Sequence, residues 1–330
     1  MSVWSSLVGQ DAAVAKLSDA AASARAIVAS RGGRASDEAR SMSHAWLITG
    51  PPGSGRSVAA RAFAAALQCT GETPGCGACP GCRTTMARTN ADVVFAATET
   101  SIINVDTARS LVLQAQSSPS QGLWRVIVVE DADRLGESGA NALLKAIEEP
   151  PEHTVWLLCA PSPDDMIATI RSRCRHLGLR IPTAAAVADL LVREGVATPD
   201  VALDAARAAQ SHIGLARALA RDPQMRERRR AIITAPASVR SVGEAVMAAD
   251  RLLETAKAQA DAQVSERNAR EKAELLRQLG MEEGESATKA SRTMIRQLEE
   301  DQKRRSKRAL TDAIDRALID LLAIYRDVLM

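Results

Sequence analysis

Four short apolar runs punctuate the first half of the chain: HAWLITG (44–50), DVVFA (92–96), WRVIVVEDAD (124–133) and TVWLLCA (154–160). Few polar residues interrupt them, so each predicts a strand buried on both faces. Between them the apolar positions spread to spacings of three and four. That predicts helices over 7–30, SVAARAFAAALQ (57–68), VDTARSLVLQAQ (105–116) and ANALLKAIEEPP (140–151), the last stopped by Pro150 and Pro151. Strands alternating with helices predict an α/β domain, a parallel sheet with helices on both faces. Ligands of such sheets sit at the carboxyl ends of strands. Gly50 and the pair Glu130–Asp131 fall at those ends. The polar, Gly-containing stretch 31–43 reads as a loop.

The pattern changes at Pro182. Residues 183–222 read as short Ala-rich helices, and everything from 223 onward reads as helix. The charged middle, 264–308, fits either a long helical hairpin or a mobile segment. The expected organisation is an α/β domain over 1–182, a small helical domain over 183–222 and an all-helical domain over 223–330. No internal repeat is visible.

Composition narrows the function classes. Hydrophobic residues make up 46% and charged residues 25% of the 330, as in a soluble globular protein. Two Phe, one Tyr and four Trp are too few for a base-stacking platform. A net charge of +2 does not demand a nucleic-acid or anionic membrane partner. No run of about 18 apolar residues predicts a membrane span. Asp11, Lys16 and Asp19 inside the first helical pattern are unlike a signal peptide, so a cytoplasmic location is expected. Four of the six cysteines lie between 69 and 82, a clustering that points to a metal rather than to disulfides.

Three motifs carry candidate chemistry. GPPGSGRS (50–57) fits the phosphate-binding loop, except that Arg56 stands where lysine is usual. Gly50, Gly53 and Gly55 would let backbone N–H groups turn toward phosphate, and Ser57 could ligate Mg²⁺. Arginine keeps the charge but carries it on a longer, planar fork. Both a bound ATP or ADP and an empty strand-to-helix turn stay open. Glu130–Asp131 ends a strand where ATPases of this kind place Asp and then Glu. The inversion lengthens one acid and shortens the other, and phosphoryl transfer tolerates little misplacement. Cys69, Cys76, Cys79 and Cys82 form C-x6-C-x2-C-x2-C, which suits a closed, structural zinc shell. Free thiols and an iron–sulfur cluster are the alternatives. Cys159, in an apolar strand, reads as core.

Taken in order, HAWLITGPPGSGRS, the four-cysteine insert, VDTARSLVLQAQSSPSQGLWRVIVVEDADRL, ANALLKAIEEPPEHTVWLLCAPSP and TIRSRC resemble the bacterial clamp-loader AAA+ subunits. The resemblance covers about residues 3–222, and WSSLVGQDAAVAKL resembles the segment that flanks the adenine in that family. It implies an AAA+ domain with the zinc module inserted at 69–82, a helical lid over 183–222 and an oligomerising collar over 223–330. Within the family the chain resembles the non-hydrolysing delta-prime branch. Arg56, the inverted acids and Ala160–Pro161, which stands in place of polar threonines, depart from the ATPase pattern together. Ser172–Arg173–Cys174 matches the family's SRC motif, whose arginine acts on a neighbour's ATP. Arg217, in SHIGLAR, matches the position of the second sensor arginine.

The resemblance implies delta and gamma/tau subunits as partners in a pentamer. Through that complex it implies contact with the sliding clamp and primer–template DNA. A gamma/tau-type ATPase with an atypical loop is the competing reading. A zinc-dependent DNA-binding module is a third, disfavoured by the few basic residues and the absence of aromatics in the cysteine loop. Residues 309–329 place Leu310, Ile314, Leu318, Leu321 and Tyr325 on one helical face, fit for a collar contact or for core. The pattern is still apolar at Met330, which leaves room for a natural chain that continues. KRRSKR (303–308) reads as a solvated helix face beside acids.

Overall fold

A computed structural model describes residues 2–30, 41–96, 102–279 and 289–329. Residues up to Arg221 form one compact unit, and those from Asp222 onward a second. Most of the loop expected at 31–43 lies outside the described residues, as do 280–288 and Met330.

The first unit is built on a five-stranded sheet. Its strands are β1 (Ala45–Thr49), β2 (Val93–Ala96), β3 (Arg125–Val129), β4 (Thr154–Ala160) and β5 (Arg175–Gly178), all parallel in the order β2-β3-β4-β1-β5. The expected α/β class is therefore what the chain adopts. Every residue of β1 and β4 is buried, as their unbroken apolar runs require. Alternate residues feed opposite cores. Trp46 and Ile48 face α1 (Asp11–Ala29) and α2 (Arg56–Leu67), where Trp46 meets Phe63 edge-on at 5.3 Å. Ala45 and Leu47 face α4 (Val105–Ala115) and α5 (Glu137–Glu148) through Leu111, Leu143 and Ile147.

Several elements differ from the sequence reading, and α1, expected from residue 7, begins at Asp11. The strand β5 is an edge strand in which only Leu177 is buried, so RHLG carries no apolar run to announce it. The helix α5 begins three residues earlier than expected, at Glu137. Inside the cysteine loop a short helix forms, α3 (Pro80–Met86), with Pro80 in its first turn and Cys79 as its cap.

A buried carboxylate braces the sheet's β2 edge. Asp92 is fully buried and accepts N–H bonds from Ser120 (2.6 Å), Gln121 (2.8 Å) and Gly122 (2.6 Å), and a hydroxyl bond from Ser120. Arg125 stands 3.7 Å away. Burial alone would raise its pKa, but the three backbone donors outweigh that and hold it down to about 2. A depressed carboxyl stabilises the fold above its unfolded pKa and loses that contribution as pH falls through about 2. Asp92→Asn puts an amide N–H₂ against these donors. We expect it to cost about 3 kcal/mol at neutral pH, read by chemical denaturation, with the deficit shrinking in strong acid.

The rest of the first unit is α6 (Ala168–Arg171) and three helices, α7 (Ala184–Arg193), α8 (Pro199–Ala208) and α9 (Ile213–Arg221), packed on one another through Val187, Leu191, Ala205 and Leu219. The second unit contains α10 (Pro223–Ser238), α11 (Val242–Gln278) and α12 (Lys289–Leu329). The charged segment takes the hairpin form. Ala256, Ala260 and Val264 pack on Ala309 and Ala313, and further along Arg305 bonds Asn268 and Glu271, each at 2.8 Å. The basic run is tied up with acids: Arg304 with Asp301 at 2.6 Å, Arg305 with Glu271, and Arg308 with Asp312 at 3.6 Å. Leu310 and Ile314 join the hairpin core, whereas Leu318 and Tyr325 are exposed. No helix among the described residues is long and apolar enough to cross a membrane.

Candidate functional site

The glycine-rich loop leaves β1 at Gly50 and enters α2 at Arg56. Gly53 and Gly55 have φ of +88° and +90°, a left-handed conformation that favours glycine. The loop thus has the strand–turn–helix form that presents backbone N–H groups at a helix start. Yet Arg56 turns back on its own loop, and its Nη1 donates to the Gly50 carbonyl. Ser57 follows, half-buried, in the first turn of α2. Above the loop sits the start of α9. A Cβ on Gly53 would lie 2.8 Å from the Cα of His212, so the two backbones pass in direct contact. Behind it, the buried Gln10 carboxamide donates to the carbonyls of Ser54 and Arg180 and accepts the Arg180 N–H.

The acid pair lies at the end of β3. Glu130 forms an ion pair with Arg88 at 2.6 Å. Arg88 has φ of +61°, an uncommon conformation for a side-chain-bearing residue, and also lies over the Phe95 ring at 5.0 Å. Burial pushes the nearby Asp133 carboxyl up, with the Asp131 charge adding to the shift and Arg56 opposing it. Ala160, fully buried, pairs in register with Thr49 at the sheet's carboxyl end. Arg217 makes a two-pronged ion pair with Glu194, at 3.0 and 2.9 Å, inside the small helical layer.

The SRC motif follows α6. Arg173 is half-exposed and bonded to Glu148 at 2.5 Å. Ser172 Oγ donates to the Thr169 carbonyl at 3.1 Å. Cys174 packs against the sheet core, and burial pushes its thiol up to about 12. Cys159 is fully buried in β4, with its thiol also pushed up to about 12 by burial, as a core cysteine should be.

The four cysteine sulfurs of the insert all lie within 4.8 Å of one another. Cys69 and Cys79 are 3.8 Å apart, close to the spacing of about 3.8 Å that four thiolates take around a tetrahedral ion at ~2.3 Å. Backbone N–H groups of Ala78 and Cys79 donate to Cys76 Sγ, and that of Cys82 to Cys79 Sγ, each at 3.4 Å. Such bonds favour thiolate over thiol. Burial opposes ionisation of Cys79, but N–H groups of Cys82 and Thr70 prevail and hold it near 5. Burial instead pushes Cys82 up. Two glycines make room. A Cβ on Gly71 would strike Cys76 Sγ at 2.8 Å, and one on Gly81 would strike the Gln68 carbonyl at 2.0 Å. The cluster can hold one metal ion.

Residues 34–183 match the protein-family model described as DNA polymerase III, delta subunit. Over 182 residues the chain is 35% identical to the delta′ subunit of DNA polymerase III from Escherichia coli, covering 53% of this chain and 54% of that one. It is 36% identical to the Pseudomonas aeruginosa delta′ subunit over 161 residues, 48% of each. Over these matched residues the chain is similar to subunits of DNA polymerase III. A Mycobacterium tuberculosis gamma/tau subunit is 35% identical over 170 residues, 49% of this chain and 29% of that one. The chain thus spans about half the length of these delta′ relatives and about three-tenths of that gamma/tau subunit. A DNA polymerase III gamma subunit-related protein of Thermotoga maritima overlays 83% of this chain and 94% of its own, with TM-score 0.42 and 18% identity.

Identity is level between the delta′ and gamma/tau relatives, so the distinction falls to individual side chains. Four of those lay beyond the sequence reading: Arg88 on Glu130, His212 on Gly53, Glu194 on Arg217 and Glu148 on Arg173. Each is a tertiary contact between distant residues. Of the partners, Glu148 stands in the quoted LLKAIEEPP and His212 in the quoted SHIGLAR.

Proposed function

We propose that the chain is a delta-prime-like subunit of the clamp loader, a stator that assembles with delta and gamma/tau subunits. In that complex it supports ATP-driven loading of the sliding clamp onto primer–template DNA in the cytoplasm. It hydrolyses no ATP itself and lends Arg173 to a neighbour's ATP site. In this reading 1–182 is the AAA+ scaffold, 183–222 its lid and 223–330 the collar. Cys69, Cys76, Cys79 and Cys82 hold a structural zinc ion, which supplies folding energy and no chemistry.

The observation that carries the reading is the closure of Arg56 on Gly50. A hydrogen bond to a charged group is worth about 1.5–3 kcal/mol. A nucleotide recruiting Arg56 must first give that up, a penalty of about ten- to a hundredfold in affinity. Engagement of Glu130 by Arg88 supports the same reading, because a paired acid is not poised to hold Mg²⁺ or to polarise water. The buried methyl of Ala160 offers nothing to a γ-phosphate. A gamma/tau-type ATPase is the second reading, kept by the equal identity to gamma/tau relatives and by the intact glycines. ATP turnover by the purified chain separates the two. No turnover above background is expected from a stator, whereas Mg²⁺-dependent hydrolysis lost in Arg56→Ala belongs to an ATPase.

A further inference from the structure

Arg173 is anchored from within its own chain. Its Nε meets Oε1 of Glu148 at 2.5 Å, and its Nη1 donates to the Thr169 carbonyl at 2.8 Å and to Ser172 Oγ at 3.2 Å. Two of the three guanidinium nitrogens are thereby fixed. Neither of the two hydrogen bonds engages Nη2. The two side chains are 39% and 43% exposed, so the pair sits at the surface.

The anchor itself is rigid. Glu148 is the last residue of α5, whose Leu143 and Ile147 are fully buried in the sheet core, and Pro150 prevents the helix from running on. Arg173, by contrast, follows a helix of only four residues. A free arginine there would sample many rotamers, and each would place its charge elsewhere. Glu148 restricts that freedom through the short ion pair at Nε.

We propose that Glu148 is a positioning residue for Arg173. It presents the Nη2 edge to an anionic oxygen on a nucleotide bound by an adjoining subunit. The proposal rests on the reading of Arg173 as an arginine finger. The bland alternative is an exposed ion pair worth about 0–1 kcal/mol that does nothing for turnover.

The test uses the assembly reconstituted with its gamma/tau-type partners, with their other ATP sites silenced by substitution. Single-turnover hydrolysis is followed at the site next to this chain. Glu148→Ala is expected to lower kcat about ten- to a hundredfold, the scale of a displacement near 1 Å, with KM for ATP unchanged. Glu148→Gln, which keeps an accepting oxygen, recovers most of that rate. Glu148→Ala combined with Arg173→Ala is no slower than Arg173→Ala alone, because the carboxylate acts only through the arginine.

An Arg173-sensitive site that ignores Glu148→Ala, or speeds up with it, overturns the positioning role and leaves the finger intact. A site indifferent to Arg173→Ala removes the finger, and the positioning role with it. Should Glu148→Ala fail to assemble, Glu148→Asp, one methylene short, gives the reading. An intermediate kcat supports the proposal and an unchanged kcat overturns it.

Discussion

Replacing Arg173 by alanine is expected to slow ATP hydrolysis at the neighbouring subunit's site by about a thousandfold or more, while the assembly still forms. The size follows from where the charge sits. A guanidinium delivered to a transferring phosphoryl group acts where negative charge develops and water is excluded, so its removal is felt in kcat rather than in KM. Arg173 suits the task because it is half-exposed and held by Glu148 and Thr169. It makes no contact that holds the sheet together, so loss of the side chain should leave the fold unchanged. Hydrolysis at that site is the measurement, with gel filtration as the check on assembly. An unchanged rate in an intact complex would show that the arginine only binds Glu148.

The second large effect concerns the metal. Stripping the ion from Cys69, Cys76, Cys79 and Cys82, or replacing Cys82 by serine, is expected to lower Tm by about 10 °C or more. That corresponds to at least about 3 kcal/mol at ~2–4 °C per kcal/mol. Structural zinc in small modules contributes far more than this, about 10–16 kcal/mol, but here part of the loop is held independently. Arg25 bonds the carbonyls of Cys69 (2.9 Å) and Glu72 (2.6 Å), and Val3 bonds Gly75 at 3.0 Å. The loss should spread toward Arg88, two residues past α3, and so loosen Glu130 as well. Metal analysis of the purified chain should find about one zinc per molecule. Absence of metal, or iron in its place, would refute the zinc assignment.

Much of this was legible in the sequence, for reasons that differ by element. The strands β1, β3 and β4 declare themselves because burial on both faces forces continuous apolar runs, as in TVWLLCA. The strand β5 is hidden because an edge position lets Arg175 and His176 stay exposed. The cysteine spacing announces a metal site, since four ligands within one short loop need no long-range contact to meet. The helix α3 inside that loop was missed because Gly and Pro dominate its composition, although Pro80 is well placed at a helix start. For the loop at 50–57, the sequence shows that Arg56 is unusual but not where it points. That depends on a backbone carbonyl six residues upstream, which no residue pattern encodes. The same holds for Asp92, whose partners are the N–H groups of a turn 28 to 30 residues away.

These contacts describe a chain that has kept the shape of a nucleotide site and turned its parts on one another. Arg56 holds Gly50, Arg88 holds Glu130 and His212 lies on Gly53. In the proposed reading Arg173, held at the surface by Glu148, is the group that acts on a nucleotide of another subunit. The most direct test is ATP turnover by the purified chain alone, in the presence of Mg²⁺, beside the Arg56→Ala variant. The account predicts background rates for both. Robust hydrolysis by the unaltered chain, abolished by Arg56→Ala, would contradict it.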